Sequence, residues 1–388
     1  MLRRPTWTVA HYCTTVFGYT VALTGALLLV PLWAKRLGAT PAEVGLISSA
    51  HAAHQILLRL PFGLLTDRLG EVGLLRAGLL QMGGALVLLV FSTTILMLVA
   101  SQVLSGFSRS LFWTAGDVYA SRLEGMAPGA IGYYRSAASL AGIASPALIG
   151  AVVGRWGFPA AAGVLAGIIG LTVILSAALP GLPRGRREES PPPAAPVWDL
   201  LRSPGMVTAS LAALLTASVL AVSMTFFPVH FLERGLPLSI IGLAMSARAL
   251  AQTITGAMVA RSLAARWRPL FALACLAAGL GFGGAFFVRS APLAFAVVAG
   301  AGICQGITHP LATYLASASV DDRRRGLGMG INGTFFSGGL MAGPVLFGLL
   351  AEGLSLPVAF VVFGGVLAGF AVAPSWFRGP ALAGGVSP

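Results

Sequence analysis

Residues Gly63–Arg76 read GLLTDRLGEVGLLR, a short charged turn between two long apolar runs. Asp67 and Arg68 stand where the chain leaves one hydrophobic segment, and Gly70 and Gly73 allow it to reverse into the next. Such a turn joins two bilayer-crossing segments, and composition supports that reading. The chain of 388 residues is 56% hydrophobic and only 10% charged, with mean hydropathy +0.86. A soluble domain carries about 25% charged residues. The 50 glycines and 24 prolines lie within apolar runs, where membrane helices tolerate both. Cys13, Cys275 and Cys304 sit far apart in apolar stretches and read as small core residues, with neither disulfide nor metal spacing.

Outward from that turn, the apolar runs repeat. A span needs about 20 apolar residues. Twelve candidates meet the requirement: 8–33, 42–64, 73–91, 95–121, 132–154, 158–180, 205–231, 238–260, 269–288, 291–317, 327–350 and 355–377. Met1–Pro5, with Arg3 and Arg4, has the look of a signal-peptide start. The run after it is long and lacks a small-x-small cleavage site, so it reads as the first span. The long connection 181–203 is Pro-rich and charged, and divides the chain into an N-terminal bundle (1–180) and a C-terminal bundle (204–388).

The net charge of +13 suggests nucleic acid, but the basic residues sit in the short connections between spans. Of the 25 Lys and Arg, four (Arg59, Arg109, Arg135, Arg248) lie within spans. Five (Lys35, Arg36, Arg155, Arg234, Arg289) fall on one side and the remaining 16 on the other. That asymmetry puts both termini in the cytoplasm. The expected place is a bacterial-type inner membrane, with the lipid bilayer and no nucleic acid as partner, and a monomer is expected.

The halves repeat each other. At an offset of 197, Pro31, Gly38, Gly45, Leu46 and Gln55 fall on Pro228, Gly235, Gly242, Leu243 and Gln252. Arg109 falls on His309 at 200, and Pro146 and Gly150 on Pro344 and Gly348 at 198. An offset held across five spans indicates duplication of a six-helix unit. The second copy of the opening turn is degraded, since Asp67 and Arg68 align with Ala264 and Ala265.

The turn resembles the loop between helices 2 and 3 of the major facilitator superfamily, G-x-L-a-D-r-x-G-r-k-x-x-L, through Gly63, Leu65, Asp67, Arg68 and Gly70. It departs at Glu71 and Val72, where the family usually has two basic residues. Ser145-Pro146-x-x-x-Gly150 and Gly343-Pro344-x-x-x-Gly348 look like the family's G-P-x-x-x-G elements of helices 5 and 11. The resemblance implies an all-α integral membrane protein with two six-helix bundles related by a pseudo-twofold axis along the membrane normal. It also implies a cytoplasmic gating role for Gly63, Asp67, Arg68 and Gly70, with the Asp67 carboxylate favoured near a helix N-terminus. Asp67→Asn is then expected to impair transport while leaving membrane insertion intact.

Polar residues inside spans mark function. His51 and Gln55 lie one turn apart in span 2, and Arg248 and Gln252 are their repeat partners in span 8. Arg109 and His309 form a second related pair. With Trp113 these residues outline a substrate and proton cavity near the midplane, where secondary carriers place their sites. The ordinary alternative is that each satisfies a neighbouring helix backbone or a buried water. Asp117 shares the face of Arg109 and Trp113 and should form a buried ion pair with Arg135, or failing that with Arg109. Span 1 holds no acid, so His51 and His309 are the candidates to carry a coupled proton, with His54 a third. His11 and His230 read as interfacial.

No phosphate-binding Gly-Lys-Ser/Thr loop, metal cluster or G-x-S-x-G turn is found, so no enzyme, cofactor or metal is expected. The expectation is a secondary transporter that moves a small organic solute by alternating access, proton-coupled and working as an efflux carrier. The solute is expected to be anionic or polar and neutral. The alternatives are a non-transporting membrane-embedded sensor and a flippase for lipid-like substrates.

Overall fold

Helix is the only regular secondary structure among the described residues of the computed structural model, which are 5–52, 70–182, 197–320 and 324–375. Hydrocarbon offers no partner for a backbone N–H or C=O, so a spanning segment must satisfy both internally. The first half comprises α1 (Pro5–Arg36), α2 (from residue 41, described to 52), α3 (Glu71–Val90), α4 (Ile95–Met126), α5 (Ala130–Trp156) and α6 (Phe158–Ser176). The second comprises α7 (Pro204–Glu233), α8 (Leu238–Val259), α9 (Leu263–Gly284), α10 (Ala291–Ala318), α11 (Arg325–Leu354) and α12 (Leu356–Gly369). A six-residue helix, Val197–Arg202, precedes α7. Ten of the described helices are long and apolar enough to cross a membrane, so this is a multi-pass membrane protein.

Local chemistry sets the ends. The turn into α2 is a capping box: Thr40 N–H donates to Glu43 Oε2 at 2.8 Å, and Glu43 N–H to Thr40 Oγ1 at 3.3 Å. Gly157 (φ 83°) breaks what would otherwise be one continuous helix into α5 and α6. Gly70 (φ 81°) precedes α3, whereas Gly73, expected in the turn, is already helical.

The repeat is visible in backbone geometry. Gly38 and Gly235 both adopt positive φ, 89° and 79°. After α1, Ala39 N–H donates to Ala34 O at 3.0 Å; after α7, Leu236 N–H donates to Phe231 O at 3.0 Å. Both are the six-to-one bond of a glycine-terminated helix, and a side chain at either glycine would strain it.

Two compact units divide the chain: residues 1–184 with 224–249, and residues 185–223 with 250–388. In the first, α5 and α8 touch backbone to backbone. A Cβ on Gly150 would stand 2.6 Å from Leu238 O, and Gly242 abuts the Pro146 carbonyl. Ala147 N–H donates to Ser246 Oγ at 3.0 Å, and Lys35 pairs with Glu233. In the second unit, α9 packs on α10 through Gly281 and Gly300, and on α12 through Gly279 and Gly364. Gly339 and Gly343 of α11 meet Leu214 and Ser218 of α7. Small residues let membrane helices approach closely where no hydrophobic force distinguishes helix from lipid.

Candidate functional site

One face of α4 carries a run of polar and aromatic side chains in the first unit. Arg109, Trp113 and Asp117 recur every fourth residue, hence on one side of the helix. The face is braced from below. Tyr19 of α1 stacks on Phe112 (centroids 3.7 Å apart, planes at 10°) and shares a hydrogen bond with Ser108 Oγ at 3.2 Å. Ser108 Oγ donates to Gly78 O of α3 at 2.7 Å. Trp113 presents its ring edge-on to Tyr19 at 6.3 Å. One turn further, Tyr12 donates to Gly116 O at 2.8 Å and packs between Tyr119 and Tyr134, with centroids at 4.9 and 5.5 Å.

Asp117 Oδ1 accepts from Tyr134 Oη at 3.0 Å and from Arg135 Nη2 at 3.5 Å. The partner is therefore Arg135, but the pair is not buried. The Asp117 side chain is 50% exposed and that of Arg135 59%. The step of one residue in α5 aims Tyr134 inward and leaves Arg135 on the open side, its guanidinium over the Tyr134 ring at 5.0 Å.

The other residues of the expected cavity are spread over both units. His51 and Arg248 lie in the first and are enclosed by protein, 4% and 5% exposed. His51 Nδ1 is hydrogen-bonded to Ser48 O. Arg109 and Trp113 are half-buried. Gln252, half-buried, and His309, exposed and edge-on to Phe336 at 5.5 Å, lie in the second. His230 is buried, 1% exposed. Gln55, Gly63, Asp67 and Arg68 lie outside the described residues, as do His54 and Arg59.

A second constellation escaped the sequence reading. Glu71, noted there only as a departure from a basic position, is buried in the first turn of α3, where the helix dipole favours a carboxylate. It accepts from Arg122 Nη1, near the end of α4, at 2.8 Å. Arg76 fastens the third helix of this corner. Its Nε and Nη2 donate to Ser176 O at 3.3 and 3.0 Å, and Nη2 also reaches Ala177 O (3.1 Å) and Leu179 O (3.2 Å) at the C-terminus of α6. Tyr119 adds a bond to Pro180 O at 3.2 Å. An acid at a helix start was the available signal; its partner lies 51 residues on.

Among the described residues no group of three or more His, Cys, Asp or Glu is placed to hold a metal.

Comparison with known proteins bears on the fold. The family model described as Major Facilitator Superfamily matches residues 12–242 and 209–385. The MFS-type transporter ppzB of Metarhizium rileyi (strain RCEF 4871) is 29% identical over 145 residues, 37% of this chain and 30% of that protein. The chain thus matches under a third of that curated relative's length. Among solved structures, a point mutant of the nucleoside transporter NupG superposes with TM-score 0.82 at 13% identity, covering 95% of this chain and 99% of its own. A bacterial homologue of the human lysosomal transporter Spinster, inward-facing and unoccupied, gives TM-score 0.78 at 15% identity, covering 98% and 100%. At such identities the likeness is one of fold. Matched by the family model across both halves, the chain belongs to the Major Facilitator Superfamily.

Proposed function

We propose that this chain is a secondary transporter that carries a small polar solute across a bacterial-type inner membrane by alternating access. The two six-helix halves, 1–180 and 204–388, are the moving bodies, joined by the linker 181–203. The observation that carries the reading is the open Asp117–Arg135 pair with Tyr134, on the face that also bears Trp113 and Arg109. Asp117 lies two to three turns before the end of α4, and Arg135 lies in the second turn of α5, a depth at which a charge still favours water over hydrocarbon. A half-exposed charge pair is more stable against water than against lipid, and this supports reading that side of α4 as a wetted wall. The face offers a carboxylate acceptor, guanidinium donors and an aromatic plane. That set suits a neutral polyhydroxylated or anionic solute better than an organic cation.

Proton coupling rests on His51 and His309, whose ordinary titration lies near neutral pH. Export is the proposed direction, with both termini in the cytoplasm and the monomer as the working unit. The test is flux in reconstituted vesicles, with and without a pH gradient, over nucleosides, sugars, amino acids and organic anions. One class should move, and Asp117→Asn and Arg135→Gln should abolish that movement. A solute that shifts thermal stability but never crosses would identify a membrane-embedded binding protein instead.

A further inference from the structure

The second copy of the opening turn lost its acid and kept its bases. Between residues 234 and 320 the sequence has no Asp or Glu. Within that stretch Arg261, Arg266 and Arg268 cluster around the start of α9, and all three are exposed. Helical geometry breaks at Arg266 (φ −129°, ψ 28°), ahead of Pro269, so the cluster sits on a bend and not on a straight rod. Arg268 lies over the ring of Trp267 at 5.3 Å, and an indole at a span's end belongs at the level of lipid headgroups.

Below the cluster the surface turns apolar in register. Leu273, Leu276 and Leu280 are 54%, 46% and 78% exposed and follow one another at helical spacing down the same helix. From Arg268 to Leu280 is about 18 Å at 1.5 Å per residue. One leaflet of a bilayer core of about 30 Å is about 15 Å. A positive head above an apolar strip one leaflet long has the shape of a lipid's complement.

At the offset of 197, Glu71 corresponds to Arg268 and Arg76 to Leu273. The positions that fasten α3 to α4 and α6 in the first half are, in the second, turned toward the surroundings.

We propose that the start of α9 is a binding site for an anionic glycerophospholipid, its phosphate held by Arg261, Arg266 and Arg268 and one acyl chain lying along Leu273, Leu276 and Leu280. Basic residues near a membrane surface favour anionic lipid, so removing two should lower that preference about tenfold or more.

The test uses the full chain in detergent, with bound lipid counted by native mass spectrometry. Phosphatidylglycerol and phosphatidylcholine of matched chains are offered at equal concentration. The wild type should retain phosphatidylglycerol preferentially. Arg261→Gln/Arg266→Gln should lose most of that preference. Arg202→Gln/Arg324→Gln, which removes equal charge from two other exposed arginines, should keep it. Glycerol phosphate and inorganic phosphate, lacking acyl chains, should not displace the lipid. An unchanged ratio in the first variant, an equal loss in the second, or displacement by phosphate at the same concentration would each overturn the site.

Discussion

The corner at the start of α3 and the matching position at the start of α9 do opposite things. In the first half Glu71, Arg122 and Arg76 turn toward neighbouring helices, and one corner joins α3, α4 and α6. In the second, the corresponding start of α9 shows arginines and leucines to its surroundings. The backbone has not diverged in the same way. Gly38 and Gly235 keep the same left-handed turn and the same six-to-one bond. The two halves share this helix punctuation and differ in the side chains at the starts of α3 and α9.

The largest expected effect on packing comes from the α5–α8 contact, where a side chain on Gly242 would meet backbone. Gly242→Leu would drive a side chain into the Pro146 carbonyl, which is backbone and cannot yield cheaply. Overpacking costs roughly 1–3 kcal/mol, and the account expects transport to fall about ten- to hundredfold, read as initial rate in vesicles at equal protein. An equally active variant would show that the contact is not part of the cycle.

Next comes the corner itself. Glu71→Gln leaves Arg122 without its carboxylate in a half-buried place and should cost about 1–3 kcal/mol, seen as a lower thermal midpoint. Exchanging the charges, Glu71→Arg with Arg122→Glu, should recover part of that loss. Arg268→Glu, at the exposed repeat position, should lower the midpoint less than Glu71→Gln. Equal losses at Glu71 and Arg268 would erase the contrast between the halves.

The α4 face should separate stability from function. Asp117 and Arg135 are half-exposed, so neutralising either should change stability by under about 1 kcal/mol while removing transport. The double variant should be as stable as the wild type. A large stability loss would make the pair a structural tie. Smallest of all, Lys35→Met removes a partly exposed pair with Glu233 and should cost about 0.5 kcal/mol or less.

What could be read in advance follows from what a sequence encodes locally. Apolar runs of bilayer length and their glycine breaks are one-dimensional signals. The expected spans 73–91 and 158–180 accordingly meet helices Glu71–Val90 and Phe158–Ser176 to within a few residues. The spacing of Arg109, Trp113 and Asp117 placed them on one face for the same reason. Exposure is not local. Whether Asp117 and Arg135 are enclosed depends on helices far along the chain, and the sequence reading had them buried. The Glu71–Arg122 pair was missed because it joins residues 51 apart, and Glu71 looked like a lapse from a pattern, not half of a pair. Nor did any local signal mark the assignment of residues 224–249 to the first compact unit, which comes from close packing at Gly150 and Gly242.

The proposed transport path requires that the side of α4 bearing Asp117 meet water. In a background lacking Cys13, Cys275 and Cys304, Asp117→Cys and Leu280→Cys can be treated in vesicles with a membrane-impermeant thiol reagent. Rapid labelling is expected at position 117 and little at 280, which faces lipid in the proposed lipid site. If position 117 proved as unreactive as 280 from both sides of the membrane, the polar face would open onto no aqueous path and the proposed solute site would be contradicted.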